Sequence, residues 1–281
     1  MGHLKSLAAG FYLGATALLA LAAGSQSAQA GPVTSYWLTA GDQSRVYEVL
    51  GNSLVQTIAT GAYPNREYPI AVADTVRTFG GSAPAFGREY DLAGAVLGAT
   101  TYTNDGTFGT VWDGATNGID SNYSLTQSSH QVVRYDSDWA NPTLLFNTVG
   151  LDNQWGGITY DSASSSIWVK ARGFNAGLRN YALDGTLLGS FTVAGTTAWG
   201  LAYEEATDSF WSLGINSTNW SIVNFDKTGN IIEEVTIVGL TGNILGGEMR
   251  ITATVAEPAT LGLFGLGMLG LGLTARRRKT A

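Results

Sequence analysis

The chain of 281 residues contains no cysteine and two histidines, and only His130 lies beyond the first thirty residues. Without thiols there is no disulfide framework, no thiolate nucleophile and no zinc–thiolate site. One histidine cannot build a His-based metal cluster. It also leaves a single candidate base, beside Ser128 and Ser129, for any Ser-His-Asp arrangement, and a loop histidine is the simpler expectation. Basic charge is scarce where it would matter. Lys5, Arg276, Arg277, Arg278 and Lys279 supply five of the fifteen Lys and Arg, whereas all twenty-two acids fall within residues 31–258. That segment therefore sets ten basic against twenty-two acidic residues, a net charge of −12. Phosphate binding needs clustered Lys and Arg, so nucleic acid and anionic membrane surfaces are excluded as partners of this segment. Solubility, divalent cations and neutral polymers remain compatible with it.

What is present at the two ends is organised around membranes. Lys5 opens a short basic region, residues 7–23 are apolar, and Ala28-Gln29-Ala30 places small residues where a signal peptidase reads. Residues 1–30 are thus expected to be a signal peptide, with cleavage after Ala30 and a mature chain starting at Gly31. At the other end stand Glu257-Pro258-Ala259-Thr260, an uncharged apolar stretch over 259–275, and the basic run Arg276, Arg277, Arg278 and Lys279. Seventeen residues of helix reach roughly 26 Å, enough to cross a thin bilayer core. The basic run sets the extreme C-terminus in the cytoplasm and everything before it outside. A plain tail anchor has no physical need for Glu-Pro-Ala-Thr at its boundary.

Over residues 255–279 this three-part end resembles the PEP-CTERM sorting signal of Gram-negative bacteria, with Ala256 where that family usually has its first proline. The resemblance implies that an exosortase recognises Glu257 and Pro258 near the membrane and detaches the body. The inner membrane would then be a transient partner, and exosortase and signal peptidase the processing enzymes. It further implies an envelope or extracellular-matrix protein, often found alongside exopolysaccharide.

Between these ends, residues 31–254 show short apolar alternations broken by Gly, Asn, Asp, Ser and Thr, with no sustained helical period: an all-β pattern. The body also repeats. Trp155-Gly156-Gly157-Ile158-Thr159-Tyr160-Asp161 is echoed by Trp199-Gly200-Leu201-Ala202-Tyr203-Glu204, and each is followed by three further strand-like runs. A third-strand aromatic recurs as Tyr47, Tyr90, Tyr135, Tyr181 and Phe225, at spacings of 43, 45, 46 and 44 residues. Arg45, Arg88, Arg134 and Arg179 precede four of them. Four strands in 40 to 50 residues make one propeller blade, and a blade needs neighbours on both faces to bury its apolar side chains. Five aromatics predict a five-bladed β-propeller. Residues 246–251 read as a first strand without a blade and 35–40 as a second strand lacking a first, so the two are expected to pair and close the ring. The competing architecture is a β-sandwich, which gives no reason for the aromatics to keep equivalent places.

Candidates for chemistry inside the body are few. Asp74, Asp113, Asp161, Glu204 and Glu248 lie near predicted first strands, and five-bladed propellers include glycosidases that use Asp and Glu pairs from different blades. Asp161 and Glu204 repeat, however, which favours turn formers. The turn that includes Asp113, Asn117 and Asp120 is loosely Ca2+-like, without EF-hand spacing or a closing glutamate, so an ordinary turn and no cofactor are expected. Trp37, Trp168 and Trp211 are read as one recurring packing position. Trp112, Trp139 and Trp220 break the pattern and are the candidates for stacking on a glycan. Asn216 and Asn219 match glycosylation acceptors, a weak pattern in a bacterium. The expectation is a non-enzymatic binding module, with a glycan-directed hydrolase and a structural matrix subunit as alternatives.

Overall fold

A computed structural model describes residues 31–61, 67–127, 129–148, 155–171, 176–197, 199–214 and 220–251. The expected signal peptide, the span 259–275, the Glu257 motif and the basic run lie outside them, as do Ser128, Asn216 and Asn219. Among the described residues no helix is long and apolar enough to cross a membrane.

In chain order the strands are β1 (Tyr36–Ala40), β2 (Arg45–Leu50), β3 (Ser53–Ala59), β4 (Glu67–Val72), β5 (Val76–Gly80), β6 (Phe86–Gly87), β7 (Glu89–Tyr90) and β8 (Tyr102–Thr103). There follow β9 (Val111–Thr116), β10 (Ser121–Thr126), β11 (Gln131–Asp136), β12 (Thr143–Asn147), β13 (Trp155–Asp161), β14 (Ser166–Ala171), β15 (Ala176–Ala182) and β16 (Leu187–Val193). The last are β17 (Ala202–Glu204), β18 (Ser209–Leu213), β19 (Ser221–Phe225), β20 (Ile231–Thr236) and β21 (Ile244–Met249). Blade 1 is β21-β1-β2-β3, blade 3 is β9 to β12, blade 4 is β13 to β16 and blade 5 is β17 to β20, each an antiparallel four-stranded sheet. Blade 2 is reduced to β4-β5-β7, with the small pair β6-β8 beside it.

Five hydrophobic clusters join these blades pairwise, and their order makes a ring. Tyr36 and Leu38 of blade 1 pack with Trp211 and Ile222 of blade 5. Val46 and Ile58 meet Ile70 and Tyr90 between blades 1 and 2, and Phe79 meets Val133 and Tyr135 between blades 2 and 3. Leu125 and Val132 meet Ile158 and Tyr181 between blades 3 and 4, and Trp168 and Leu178 meet Phe210 and Phe225 between blades 4 and 5. Each fully buried aromatic contributes about 2–3 kcal/mol of transfer free energy to its junction. The five third-strand aromatics all sit on β2, β7, β11, β15 and β19 and are at most 3% exposed.

The ring closes between its ends, as the sequence predicts, with the pairing in the frame Tyr36↔Met249, Trp37↔Glu248, Leu38↔Gly247, Thr39↔Gly246 and Ala40↔Ile244. The closing strand is thus 244–249, shifted slightly from the expected 246–251. Glycine is required where the inner strands converge. A Cβ on Gly246 would stand 1.9 Å from the Tyr68 carbonyl oxygen, and one on Gly114 would stand 2.8 Å from the Ile70 backbone.

One repeat assignment changes. Trp168 lies opposite Asn180 and Trp211 opposite Asn224, each one residue after the partner of the third-strand aromatic. Trp37 lies opposite Glu48, one residue before that partner. It is therefore two places away from the position Trp168 and Trp211 share, and it packs with Val46, Ile58 and Tyr90 at the junction of blades 1 and 2.

Candidate functional site

The inner strands β4, β9, β13, β17 and β21 line the axis, and their starts and ends define two faces. At the starting end, Tyr68 of β4 packs on Trp112 of β9 with ring centroids 5.2 Å apart, and Trp112 packs on Trp199, just ahead of β17, at 5.8 Å. Blades 2, 3 and 5 thus meet through aromatic rings at this end of the axis, its mouth. Trp112 and Trp199 are half-buried, and the Trp112 indole N–H is buried without an acceptor among the described residues. The accessible faces of Trp112 and Trp199 suit an uncharged ligand that offers C–H surface for stacking.

Below this mouth the axis is polar. Asp113, fully buried, accepts backbone N–H bonds from four blades: Gly247 at 2.8 Å, its neighbour Gly114 at 2.9 Å, Leu201 at 3.1 Å and Ile158 at 3.3 Å. Glu248 lies one step further along. One of its oxygens accepts the Met249 N–H at 3.0 Å and the Thr159 hydroxyl at 3.4 Å, and the other has no partner among the described residues. Burial pushes both carboxyls up, and the charge of Asp113 pushes Glu248 further. At Asp113 the four N–H donors oppose that rise. Tyr36, also raised by burial and by both carboxyls, donates to the Gly200 carbonyl and closes the axis against blade 5. Asp113 therefore acts as a hub between blades, its lone pairs already engaged.

At the finishing end both limits of the body meet. Arg250 N–H donates to the Ser35 carbonyl at 3.1 Å and Ile251 N–H to Val72 at 3.0 Å. Thr34 N–H donates to Glu204 at 2.7 Å. A cleft of about 240 Å³ opens here, lined by Thr34, Tyr160, Ser162, Tyr203, Glu205 and Arg250.

The other sequence candidates separate. Asp161 accepts N–H bonds from Ala163 and Ser164 and from the Trp168 indole, and Glu204 accepts the Trp211 indole N–H at 3.0 Å and the Thr207 hydroxyl at 2.8 Å. Both are turn-and-indole anchors at the repeat. Asp74 is exposed in the turn after β4. Trp139 is corrected: it is 4% exposed and stacks on Phe79 at 4.9 Å, so its ring is core and unavailable to a sugar. Trp220 is half-buried and, like Trp199, packs against the junction of blades 1 and 5.

The Ca2+-like trio is also divided. Asp113 sits at the axis, whereas Asn117 and Asp120 belong to an exposed turn. There the Asn117 oxygen accepts three backbone N–H groups, and its amide donates to Asp120 at 2.9 Å. Among the described residues no group of three or more His, Cys, Asp or Glu could hold a metal ion. His130 occupies the β10–β11 turn with φ +56°, and the Ser129 hydroxyl is engaged with Thr126 and Gln131.

Sequence reasoning missed Tyr68 and Trp199 as mouth residues, although a signal exists. Tyr68, Trp112, Trp155 and Trp199 open successive inner strands at spacings of 44, 43 and 44 residues. Two buried ionisable groups were missed as well. Glu67, 2% exposed between blades 1 and 2, receives the Thr60 hydroxyl at 2.6 Å and that of Thr78; burial pushes it up to about 7, against the pull of both hydroxyls and of Arg88. Lys170, fully buried between blades 4 and 5, donates to the Thr196 and Ser212 hydroxyls at 2.7 and 2.8 Å; burial pushes its amine well below the usual lysine range.

Residues 254–279 match the PEP-CTERM protein-sorting motif. No curated protein matches the chain. Among solved structures, a chain of a nidogen/laminin complex superposes with a TM-score of 0.55 at 12% identity, covering 78% of this chain and 99% of that one. A protein of unknown function from Bacteroides thetaiotaomicron gives 0.48 at 14% identity, covering 75% and 63%, and a functionally unknown protein from Desulfotomaculum acetoxidans gives 0.48 at 10%, covering 78% and 99%. At such identity the first likeness is one of fold. Five blades closed by the two ends of the body, followed by that motif, make this chain an exported, exosortase-sorted protein with a PEP-CTERM signal and a β-propeller cargo.

Proposed function

We propose that the body is a non-enzymatic interaction module of the cell envelope or extracellular matrix, and that it binds a neutral glycan at the aromatic mouth. The observation that supports this reading is the Tyr68–Trp112–Trp199 array, drawn from three blades to one end of the axis, with Trp112 and Trp199 half-buried. The sugar's C–H face would lie on the accessible faces of Trp112 and Trp199. The net charge of −12 directs it to uncharged exopolysaccharide over anionic polymers.

Delivery follows from the ends. Signal peptidase cuts after Ala30, the body crosses the inner membrane and pauses on the 259–275 span with Arg276 to Lys279 inside, and exosortase acts at Glu257 and Pro258. The finished protein then resides at the cell surface or beyond it.

The test is titration of the exported protein with neutral and acidic polysaccharides, followed by tryptophan fluorescence. Binding of neutral polymer that weakens about tenfold in Trp112→Ala, the loss of one stacking contact worth about 1.4 kcal/mol, supports the reading. Equal binding by the variant overturns it. The axial Asp113–Glu248 pair gives the hydrolase alternative its one observation, and release of reducing ends abolished by Glu248→Gln would favour it. Self-association without glycan binding would favour a structural matrix subunit.

A further inference from the structure

The first described residue of the body is held in a seat out of proportion to a loose leader junction. Gly31 is buried, and its backbone nitrogen lies 3.1 Å from a carboxylate oxygen of Glu233 on β20, the outer strand of blade 5. On its other side it presses on blade 1: a Cβ at Gly31 would stand 1.8 Å from the Gly51 carbonyl oxygen, in the β2–β3 turn, and Gly51 N–H donates to the Pro32 carbonyl at 2.9 Å. Three residues on, Thr34 N–H reaches Glu204 of blade 5. Residues 31–34 therefore cross the same blade 1–blade 5 junction that β21 closes. Among the described residues Glu233 has no Lys or Arg within ion-pair distance.

We infer that removal of the leader before Gly31 creates an α-ammonium that pairs with Glu233, so that processing itself installs a second clasp across the closing junction of the ring. In the precursor the nitrogen at this place is an amide with one hydrogen and no charge. Hydrolysis of the Ala30–Gly31 bond, in which the oxygen of water completes an ionised Ala30 carboxylate and its two hydrogens end on the nitrogen, leaves a cation with three donors beside a half-buried carboxylate. A charge-assisted bond is roughly twice as strong as the neutral one it replaces. Gly31 suits both tasks: it satisfies the small-residue rule of the cleavage site and is the one residue whose missing side chain allows contact with Gly51.

This inference rests on the signal-peptide reading, and the experiment separates the two. The processed protein is isolated from its host, its N-terminus is sequenced, and α-amine acylation at neutral pH is followed by mass spectrometry in native buffer and in urea. The expected result is an N-terminus at Gly31 whose amine reacts at least tenfold more slowly in the native protein than in urea. Glu233→Gln should restore native reactivity to within about threefold of the urea value, and Glu233→Asp, whose carboxylate stands one methylene further back, should lower the protection two- to fivefold. Any other N-terminus overturns both the cleavage assignment and the clasp. An N-terminus at Gly31 whose native amine reacts as fast as in urea overturns the clasp alone, as does unchanged protection in Glu233→Gln. If that variant is not exported, the native-to-urea ratio of the wild-type protein together with Glu233→Asp decides: protection that Glu233→Asp leaves at its wild-type value overturns the clasp, and protection that it lowers two- to fivefold supports it.

Discussion

The junction between blades 1 and 2 buries a carboxyl, and the junction between blades 4 and 5 buries an amine. Glu67 and Lys170 are satisfied in the same way, each by a pair of hydroxyls, Thr60 and Thr78 in one case and Thr196 and Ser212 in the other. The electrostatic consequences are opposite. Glu67 is neutral in the folded and unfolded chain below its ordinary value of 4.5; as the pH rises from there to about 7 the unfolded chain ionises first and stability falls. Lys170 is neutral in both states above its ordinary value of 10.5, and as the pH falls below that value the unfolded chain takes up its proton first and stability again falls. The two junctions thus weaken from opposite sides towards the middle of the pH range, and the hydroxyl pairs limit the loss at each. The comparison teaches that a repeat fold can tolerate a buried ionisable group where two hydroxyls stand within reach, at least one of them across the blade gap.

The comparison is broken most severely by removing the donors from the carboxyl. Thr60→Val with Thr78→Val should cost about 4 kcal/mol at pH 8, since a buried carboxylate then loses two hydroxyl bonds, and urea unfolding would measure it. Next in size, Glu67→Gln should flatten the stability profile between pH 4.5 and about 7 and raise stability at pH 8 by about 3 kcal/mol, matching the rise of its ionisation point. A profile that keeps its slope in this variant assigns the acid limb to another group. Lys170→Met should gain about 1–2 kcal/mol at pH 7, because a well-packed apolar chain replaces a desolvated amine, and the gain should vanish above pH 10.5. The smallest effect belongs to Thr196→Val, about 1 kcal/mol at pH 7, because the amine keeps Ser212 and can shed its proton. A loss as large as that of the threonine pair at Glu67 would show that Lys170 stays charged.

Much of this architecture was legible before any coordinates. The third-strand aromatics could be read because each blade must fill the same gap with the same kind of ring, and Tyr47, Tyr90, Tyr135, Tyr181 and Phe225 all do so. The closure could be read because an orphan first strand and an orphan second strand complete each other. Less visible was what depends on depth within the ring. Asp113 looks like a turn ligand in sequence, and only the convergence of Gly247, Ile158 and Leu201 on it reveals an axial hub. Trp139, preceded by Asp136, Ser137 and Asp138, reads as a loop ring but folds inward onto Phe79. Glu67 and Lys170 carry no sequence signal, since their partners belong to neighbouring blades or strands. The mouth was half legible: Trp112 stood out, while Tyr68 and Trp199 were hidden by their own regular spacing.

The final strand of the ring ends at Met249, ahead of Glu257. Processing at that motif, as proposed, would therefore leave β1 to β21 intact. A body released in this way would be complete while still tethered, and severing its cord would change its freedom to diffuse without changing its blades.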